Sequence, residues 1–286
     1  MPYCDRITAE KGGDLLQSAT TERSDRFLGY HHTRTASPDG SAFERHCHDC
    51  YELLFVREGS GKAVVEGTEY LLSSGSLFLF RPLEYHYVCP DEGVPYERYV
   101  INFGSGIPVG AAASLPFLAK EGAYGGNGIS YSDSDGTAEK IFSLAELRDP
   151  ADAPLGFSIL RTIVTQALAL LSRVETVSSG SENTLVSNII GYLNDNLQSD
   201  LSLDEVAKHF FISKYYLCRV FRKNTGVSVM HFVNTKRVAK AKQLIASGMP
   251  AADAALEAGF RDYSVFYRAC KKSTGQAPVS ERAKTK

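Results

Sequence analysis

The sequence predicts an α+β protein, with an N-terminal β-barrel and flanking helices followed by an all-α domain of two helix-turn-helix units joined by a long helix. Three observations predict this fold. Residues 43–103 contain short apolar runs separated by glycine, proline and acidic residues, residues 184–286 contain helical apolar patterns, and one helical segment occurs twice near the C-terminus. Apolar runs of strand length favour a barrel or sandwich, and the repeat favours two copies of one supersecondary unit.

The repeated segment is short and basic. Arg219–Gly226 (RVFRKNTG) recurs 49 positions later as Arg268–Gly275 (RACKKSTG). Each copy ends at a glycine, the residue that most often terminates a helix in the left-handed conformation. The pattern predicts one helix-turn-helix unit at each copy.

Length and composition set the domain organisation. The chain has 286 residues, of which 43% are hydrophobic and 22% charged, so it can bury a full core in each of two domains. Residues 173–183 (RVETVSSGSEN) are polar and rich in serine, as in a flexible linker. We predict one domain at residues 1–175, a linker at residues 176–183 and a second domain at residues 184–286.

The cysteines and the apolar segments indicate the compartment. The six cysteines come without a secretory signal, which is typical of reduced thiols. No run of about 18 apolar residues predicts a membrane span. We therefore expect a cytoplasmic protein that does not bind a membrane.

Charge is divided unequally between the two predicted domains. The net charge is −2, but residues 184–286 contain 16 Lys and Arg against 8 Asp and Glu, and residues 1–183 contain 15 against 25. A basic domain attached to an acidic one indicates that only the C-terminal part binds a polyanion, for which double-stranded DNA is the leading candidate. Solvated basic helix faces are the alternative interpretation.

The N-terminal domain contains five strand-like runs and two helical patterns. The strand-like runs are Tyr51–Val56, Gly61–Glu66, Glu69–Leu72, Ser76–Phe80 and Arg98–Phe103. The helical patterns are Thr137–Arg148 and Leu155–Val174, and the second has an apolar stripe at spacings of three and four: Leu160, Ile163, Val164, Ala167, Leu168 and Leu171. The stripe could pack on its own domain or form a homodimer, and residues 104–136 have no assigned element.

The first predicted helix-turn-helix unit has clear helix boundaries. Ser202 and Glu205 form a capping-box pattern for a helix over Leu203–Phe211, and Ser213 caps a second helix over Lys214–Asn224. On the second helix an apolar stripe faces inward: Leu217, Val220 and Phe221. The outer face then carries Tyr215, Cys218, Arg219 and Arg222, with Lys223 beside them.

The second unit repeats this construction. A helix over Ala251–Ala258 precedes a helix that Asp262 caps and that runs to about Ser273. Its inward positions are Val265, Phe266 and Ala269, and its outward positions are Tyr263, Ser264, Tyr267 and Arg268. Between the units, Ser228–Ala246 predicts one helix about 28 Å long. This length is close to the roughly 34 Å of one DNA turn, so the two units could enter successive major-groove segments.

These residues resemble the DNA-binding domain of the AraC/XylS family of bacterial transcription regulators. The resemblance covers Leu201–Arg282 and includes the helix segment Lys236-Arg-Val-Ala-Lys-Ala-Lys, Gly259-Phe260 and Gly275-Gln-Ala-Pro278. It implies sequence-specific DNA binding, a small-molecule effector domain and RNA polymerase as a partner. Three positions depart from the family pattern: Phe211 replaces a usual turn glycine, Cys270 a core phenylalanine, and Glu281 a tyrosine.

The resemblance also implies roles for residues on the outer helix faces. Base-reading positions correspond to Tyr215, Cys218 and Arg219 in the first unit and to Tyr263, Ser264 and Arg268 in the second. Arginine can bridge the O6 and N7 atoms of guanine, although either arginine could instead bind phosphate. Phosphate contacts are assigned to Arg222, Lys223, Lys271 and Lys272.

Histidines in the barrel region resemble the two motifs of cupins. His46-x-His48-x-x-x-Glu52 with Gly59 is similar to the first motif, and Gly75…Pro82…His86 to a shortened second one. Alternating side chains in extended backbone would direct residues 46, 48 and 52 to one face. We therefore expect His46, His48, Glu52 and His86 to bind an effector, or a divalent metal as in enzymatic cupins. Cys47 would lie on the opposite face, and a lone C-x-x-C pair lacks a complete tetrahedral set, so Cys47 and Cys50 are interpreted as structural cysteines; a zinc site or a thiol sensor is the alternative.

Two function hypotheses follow. The first is a transcription regulator whose barrel binds a sugar or another small polar metabolite, and which is not an enzyme. The alternative is a metal-dependent cupin enzyme fused to a DNA-binding tail, for which the histidine cluster would be the catalytic metal site. No phosphate-binding glycine loop or nucleophile motif offers another catalytic set.

Overall fold

The structure is a computed structural model that describes residues 15–21, 28–41, 43, 45–104, 129–149, 151–172, 181–182, 184–274 and 277–278. Most of the predicted linker lies outside these residues. The predictions on Gly275, Glu281 and Arg282 also lie outside them, as do residues 105–128 of the unassigned stretch. The boundaries between domains and linker therefore stay predictions.

Two antiparallel sheets form the N-terminal barrel. The six-stranded sheet has the order β1-β2-β8-β3-β6-β9, and the four-stranded sheet has the order β10-β5-β4-β7. The strands are β1 (Leu15–Thr21), β2 (Leu28–Thr35), β3 (Tyr51–Glu58), β4 (Ser60–Val65), β5 (Thr68–Ser73), β6 (Ser76–Phe80), β7 (His86–Pro90), β8 (Tyr96–Phe103), β9 (Ile129–Ser132) and β10 (Ser181–Glu182). The five predicted strands are confirmed as β3 to β6 and β8.

Alternation along the strands separates two apolar cores. Leu53 and Phe55 of β3 face the flanking helices, whereas Leu54 and Val56 face the barrel interior between the sheets. Glu52 has the parity of the interior residues, and the pairing of β3 with β8 places it opposite Asn102. The interior is therefore apolar apart from the buried Arg98 of β8, and it is polar at the end where β3 begins.

The flanking helices cover the outer face of the six-stranded sheet. They are α1 (Thr137–Ser143), a 3₁₀ helix (Leu144–Leu147) and α2 (Ala153–Leu171). All six residues of the predicted apolar stripe on α2 are buried in the core shared with the sheet. By length and composition α2 is the one helix among the described residues that could cross a membrane. Because its apolar side is buried on the sheet, we assign it as a core helix, and the stripe is not available to form a homodimer.

Six helices form the C-terminal domain in the described residues. They are α3 (Thr184–Asp195), α4 (Leu203–His209), α5 (Lys214–Thr225), α6 (Val229–Ala246), α7 (Ala251–Glu257) and α8 (Tyr263–Thr274). The sequence did not predict α3, which packs its apolar side on α5 and α6. The predicted ends of α4 and α7 were one or two residues too long, because the chain leaves the helical conformation at Phe210 and Gly259.

The predicted caps fix the helix boundaries. Ser202 and Glu205 make both hydrogen bonds of a capping box at α4, and the Ser213 hydroxyl accepts from the Tyr216 amide at the start of α5. The Asp262 carboxylate accepts from the Val265 amide at the start of α8. Gly226 ends α5 with φ of 77°, the left-handed geometry that glycine adopts without strain.

Phe211, in the turn of the first unit, has φ of 55° and is 97% exposed. We predict that Phe211→Gly raises the free energy of unfolding by about 0.5–1 kcal/mol. Left-handed backbone costs a residue with a Cβ about 1–2 kcal/mol, and the larger entropy loss of glycine offsets part of the gain. Urea denaturation followed by far-ultraviolet circular dichroism measures the change. Phe211→Ala is the control, because it removes the ring and keeps the strain; an equal gain from alanine would contradict the prediction.

Candidate functional site

The outer face of α5 is exposed and basic. Tyr215 is 78% exposed, and Arg219, Arg222 and Lys223 are exposed along the same side, whereas Cys218 is half-buried. Leu217 and Phe221 point the other way and are fully buried, which fixes the rotation of the helix. Arginine and lysine presented along one helix face can contact both base edges and phosphates in a major groove.

The second unit presents a similar face on α8. Ser264, Tyr267 and Arg268 are exposed and Tyr263 is half-buried, with Lys271 and Lys272 exposed further along the helix. Phe266 and Cys270 are buried against α6 and α7. Cys270 is only 1% exposed, so it occupies a core position, as the family comparison of the sequence predicts.

The barrel brings the four predicted ligands together. His46, His48, Glu52 and His86 are all buried, and one potential ligand atom from each lies within 4.8 Å of the others. His46 and His86 are adjacent through a β-bridge, and their ring centroids are 4.6 Å apart. The segment around His46 is therefore an extended stretch with a single bridge rather than the strand that alternation assumed.

Backbone carbonyls orient two of the imidazoles. His48 Nδ1 donates to the Cys50 carbonyl at 2.8 Å, and His86 Nδ1 donates to the Glu84 carbonyl at 2.8 Å. Nε2 of each ring is thereby directed at the Glu52 carboxylate, at 3.0 Å from His48 and 3.8 Å from His86. The carboxylate also accepts from Asn102 Nδ2 at 2.9 Å.

The cluster places ionisable side chains inside the barrel, and their contacts shift their pKa values. Burial alone would raise the pKa of the Glu52 carboxyl, but the hydrogen bond from His48 and the nearby His86 imidazole hold it well below its usual range. Burial opposes protonation of His48, yet its bond to Glu52 raises the pKa of this imidazole. The carboxylate is therefore ionised, and its position favours a cation beside it.

A small cavity adjoins the cluster. Its free interior is about 40 Å³, and it is lined by His46, Glu52 and His86 together with apolar side chains and Arg98. One water molecule needs about 10–15 Å³ of such volume, so the cavity holds a few water molecules. A monosaccharide does not fit unless the barrel opens.

The residues that alternate with the ligands contact the helical domain. Cys47 and Tyr85 belong to the apolar core of α3 to α6, and the Tyr85 ring lies 5.1 Å from the Phe232 ring on α6. Alternation thus places Cys47 opposite His46 and His48, as predicted. Burial raises the pKa of the Cys47 thiol to about 12, so it is protonated at neutral pH and unreactive as a nucleophile.

A buried ion pair joins the barrel to α6. Glu66 Oε2 accepts from Lys236 Nζ at 2.8 Å, and Asn194 of α3 bonds to both groups. Glu66 is 1% exposed and Lys236 is 3% exposed. Glu66 and Gly67 form the two-residue turn between β4 and β5, and both have positive φ, as a type I′ turn requires. A Cβ at Gly67 would lie 3.1 Å from Ile190, so the turn packs closely on α3.

Two further contacts connect the barrel to the end of α5. The Tyr87 hydroxyl donates to the Asn224 carbonyl at 3.4 Å. The Arg45 guanidinium lies against Gly226, where any side chain would collide with it. The sequence predicted none of these contacts between the domains, and it did not identify Glu66 or Asn102 as functional candidates.

Comparisons with known proteins match two separate parts of the chain. Residues 29–149 match the AraC-like ligand binding domain and residues 206–284 match a helix-turn-helix domain. The transcriptional activator RhaS of Pectobacterium carotovorum is 27% identical over 247 residues, which cover 85% of this chain and 88% of that protein. The transcriptional regulator YbfI of Bacillus subtilis is 24% identical over 233 residues, covering 78% and 80%. A crystal structure of ToxT from Vibrio cholerae with an unsaturated fatty acid superposes with a TM-score of 0.43 at 12% identity, covering 91% of this chain and 96% of that one.

Proposed function

This chain belongs to the AraC family of transcription regulators, and we propose that a small ligand in its barrel controls how α5 and α8 bind operator DNA. One observation carries the proposal. The extended segments that hold His46, His48 and His86 toward the ligand site place Cys47 and Tyr85 in the core of the DNA-binding domain. A ligand that moves these segments therefore acts directly on the helical domain.

For DNA recognition we assign Arg219 of α5 and Arg268 of α8 to base edges. Both are exposed, and α6, with 18 residues or about 27 Å, separates the two units by a distance close to one DNA turn. The lysines and arginine near the helix C-termini then neutralise phosphates: Arg222, Lys223, Lys271 and Lys272. Tyr215, Cys218, Tyr263, Ser264 and Tyr267 complete the two faces.

Control by the ligand requires two arrangements of the domains that bind the ligand unequally. The docked arrangement joins the barrel to α6 through the Glu66–Lys236 pair and to α5 through Tyr87. A ligand that favours or disfavours this docking by about 1–3 kcal/mol would change DNA binding 5- to 150-fold. The exposed faces of α5 and α8 are not covered in the docked arrangement, so the control acts on the orientation of the two units rather than on access to them.

The wider assignments follow the family. The matched relatives are transcription regulators, so the chain is a regulator and not a cupin enzyme. We propose a cytoplasmic location, RNA polymerase as a partner and a polar effector bound by His46, His48, Glu52 and His86. A sugar would require the barrel to open. A homodimer also remains a proposal, and its interface does not include the buried stripe of α2.

Selection from a pool of random DNA duplexes tests the proposal with the full-length protein. We expect one enriched motif with two half-sites whose centres are about one helical turn, or 10–11 base pairs, apart. The double variant Arg219→Ala with Arg268→Ala should enrich no motif. Arg161→Ala, which removes an exposed arginine from α2, is the matched control and should select the same motif as the unmodified protein. Failure of the unmodified protein to enrich any sequence would contradict the proposal.

A further inference from the structure

We propose that His46, His48, Glu52 and His86 bind a divalent first-row transition-metal ion. Metal binding itself follows from the cluster alone, and only its regulatory consequence rests on the proposed function. The cluster offers three imidazole nitrogens and one carboxylate oxygen within 4.8 Å of one another, all buried. Four converging ligands of this kind are the donor set of nitrogen- and oxygen-coordinated metal centres.

The second layer of residues holds the ligands as a metal centre requires. A metal-binding histidine usually donates its other ring nitrogen to a carbonyl or carboxylate, which fixes its orientation. His48 and His86 both donate Nδ1 to backbone carbonyls and so direct Nε2 into the cluster. Asn102 holds the carboxylate of Glu52 in the same way.

One imidazole nitrogen of the cluster is buried without a full hydrogen bond. His86 is 2% exposed; its buried Nε2 lies 3.8 Å from the Glu52 carboxylate, too far for a hydrogen bond, and has no closer hydrogen-bond partner among the described residues. Most buried ring nitrogens in proteins are hydrogen-bonded, because an unsatisfied buried polar atom is costly. A metal ion bound by this nitrogen removes the penalty, and the adjacent carboxyl group of Glu52 supplies the oxygen ligand.

The donors select the class of ion. Magnesium and calcium prefer sites composed entirely of oxygen ligands, whereas imidazole suits zinc, iron, nickel and cobalt. The converging set contains no thiol: Cys47 is directed into the helical domain, and Cys50 Sγ contacts His48 Nδ1 at 3.4 Å, on the ring nitrogen that is directed away from the cluster. The cavity of about 40 Å³ beside the cluster leaves room for a bound water or one small anion, but not for a large organic ligand.

Metal binding would affect how the helical domain docks on the barrel. Binding restrains His46, His48 and His86 relative to one another, and these residues are the sequence neighbours of Cys47 and Tyr85. Cys47 and Tyr85 contact the core that includes Phe232 of α6. The ion is therefore placed to act as the ligand, or as part of the ligand, that controls docking.

Cobalt(II) titration of the full-length protein, stripped of metal with a chelator and dialysed, tests the inference. We expect visible absorption bands that saturate at about one cobalt per chain and disappear when zinc is added. His86→Asn and Glu52→Gln should weaken binding at least about 100-fold, since even loss of a supporting residue costs 10- to 100-fold. His32→Asn is the matched control, because His32 pairs with Glu97 at 2.9 Å in the same barrel, outside the cluster, and this variant should bind as the unmodified protein does.

Several outcomes would overturn the inference. The first is a saturated cobalt content well below one per chain. The second is a sulfur-to-cobalt charge-transfer band, because the proposed set has no thiolate. The third is unchanged affinity in His86→Asn or Glu52→Gln. If a variant fails to fold, the unmodified protein is equilibrated with zinc and desalted, and its zinc content is measured. A content well below one zinc per chain overturns the inference. Duplex selection without metal is a separate measurement, so failure of metal binding and failure of DNA binding are distinguishable.

Discussion

Replacing Lys236 by methionine should weaken docking of the helical domain on the barrel by about 3–5 kcal/mol, because the Glu66 carboxylate remains buried without its counter-charge. The chain can relieve this cost by separating the domains and hydrating Glu66. We therefore expect faster hydrogen–deuterium exchange at the β4–β5 turn and in α3, which pack on each other around Gly67. Exchange within the cores of the barrel and of the second helix-turn-helix unit should be unchanged.

Two further variants separate the ion pair from general effects of the substitution. Lys240→Met removes a half-buried lysine one turn further along α6 and should leave exchange at the turn as it is in the unmodified protein. Combining Lys236→Met with Glu66→Gln removes both buried charges and should restore most of the docking, giving a positive coupling in a double-mutant cycle. If hydrogen–deuterium exchange at the β4–β5 turn and in α3 is equally fast in Lys236→Met and Lys240→Met, the ion pair does not hold the domains together.

The helical domain could be predicted closely because its signals are local. Ser202, Glu205, Ser213 and Asp262 each satisfy amide groups within three residues, so the sequence alone locates where helices begin. Strand β2 shows the opposite case. Its residues include His31, His32, Thr33 and Arg34, which do not form an apolar run, and the first three are nevertheless buried because β2 pairs with β8. Pairing partners distant in sequence are invisible to local patterns.

The convergence of the histidines and Glu52 could be predicted because most of these residues are close in the sequence, as the helix caps are. His46, His48 and Glu52 are close in the sequence, and an extended backbone, even one with a single β-bridge at His46, still directs their side chains to one side. The Glu66–Lys236 pair lies 170 positions apart, and each residue alone resembles a solvated charge. The one available signal is the Glu-Gly turn, where Asn-Gly or Asp-Gly is usual for two positive φ values. A glutamate at a positive φ of 51° is a local sign that its side chain makes a specific contact.

Arg219→Ala should weaken binding to the preferred operator by about 1–3 kcal/mol, or 5- to 150-fold, and relax the preference at one base position. The same substitution at Arg268 should have a smaller effect, because the first unit is better held before DNA arrives. Helix α5 contacts α3, α4 and α6 and receives support from Tyr87 and Arg45 of the barrel. In the part of the chain that the structure describes, the apolar core of the second unit draws on α6 to α8 and on Phe260 in the turn between α7 and α8, and it includes the small side chain of Cys270. A binding helix that is already fixed loses less conformational entropy on association.

Titrations of each variant against operators altered at single positions measure both effects. Arg222→Ala is the matched control on the same helix as Arg219. Loss of a phosphate contact should weaken binding to all sequences alike, and it should reduce the slope of the logarithm of the binding constant against the logarithm of the salt concentration by about one. If Arg219→Ala weakened binding to all operator sequences equally, Arg219 would also be assigned to a phosphate contact. A larger loss from Arg268→Ala than from Arg219→Ala would show that support from the barrel does not decide which unit binds more strongly, and would direct attention to the second unit as the main reader of the operator.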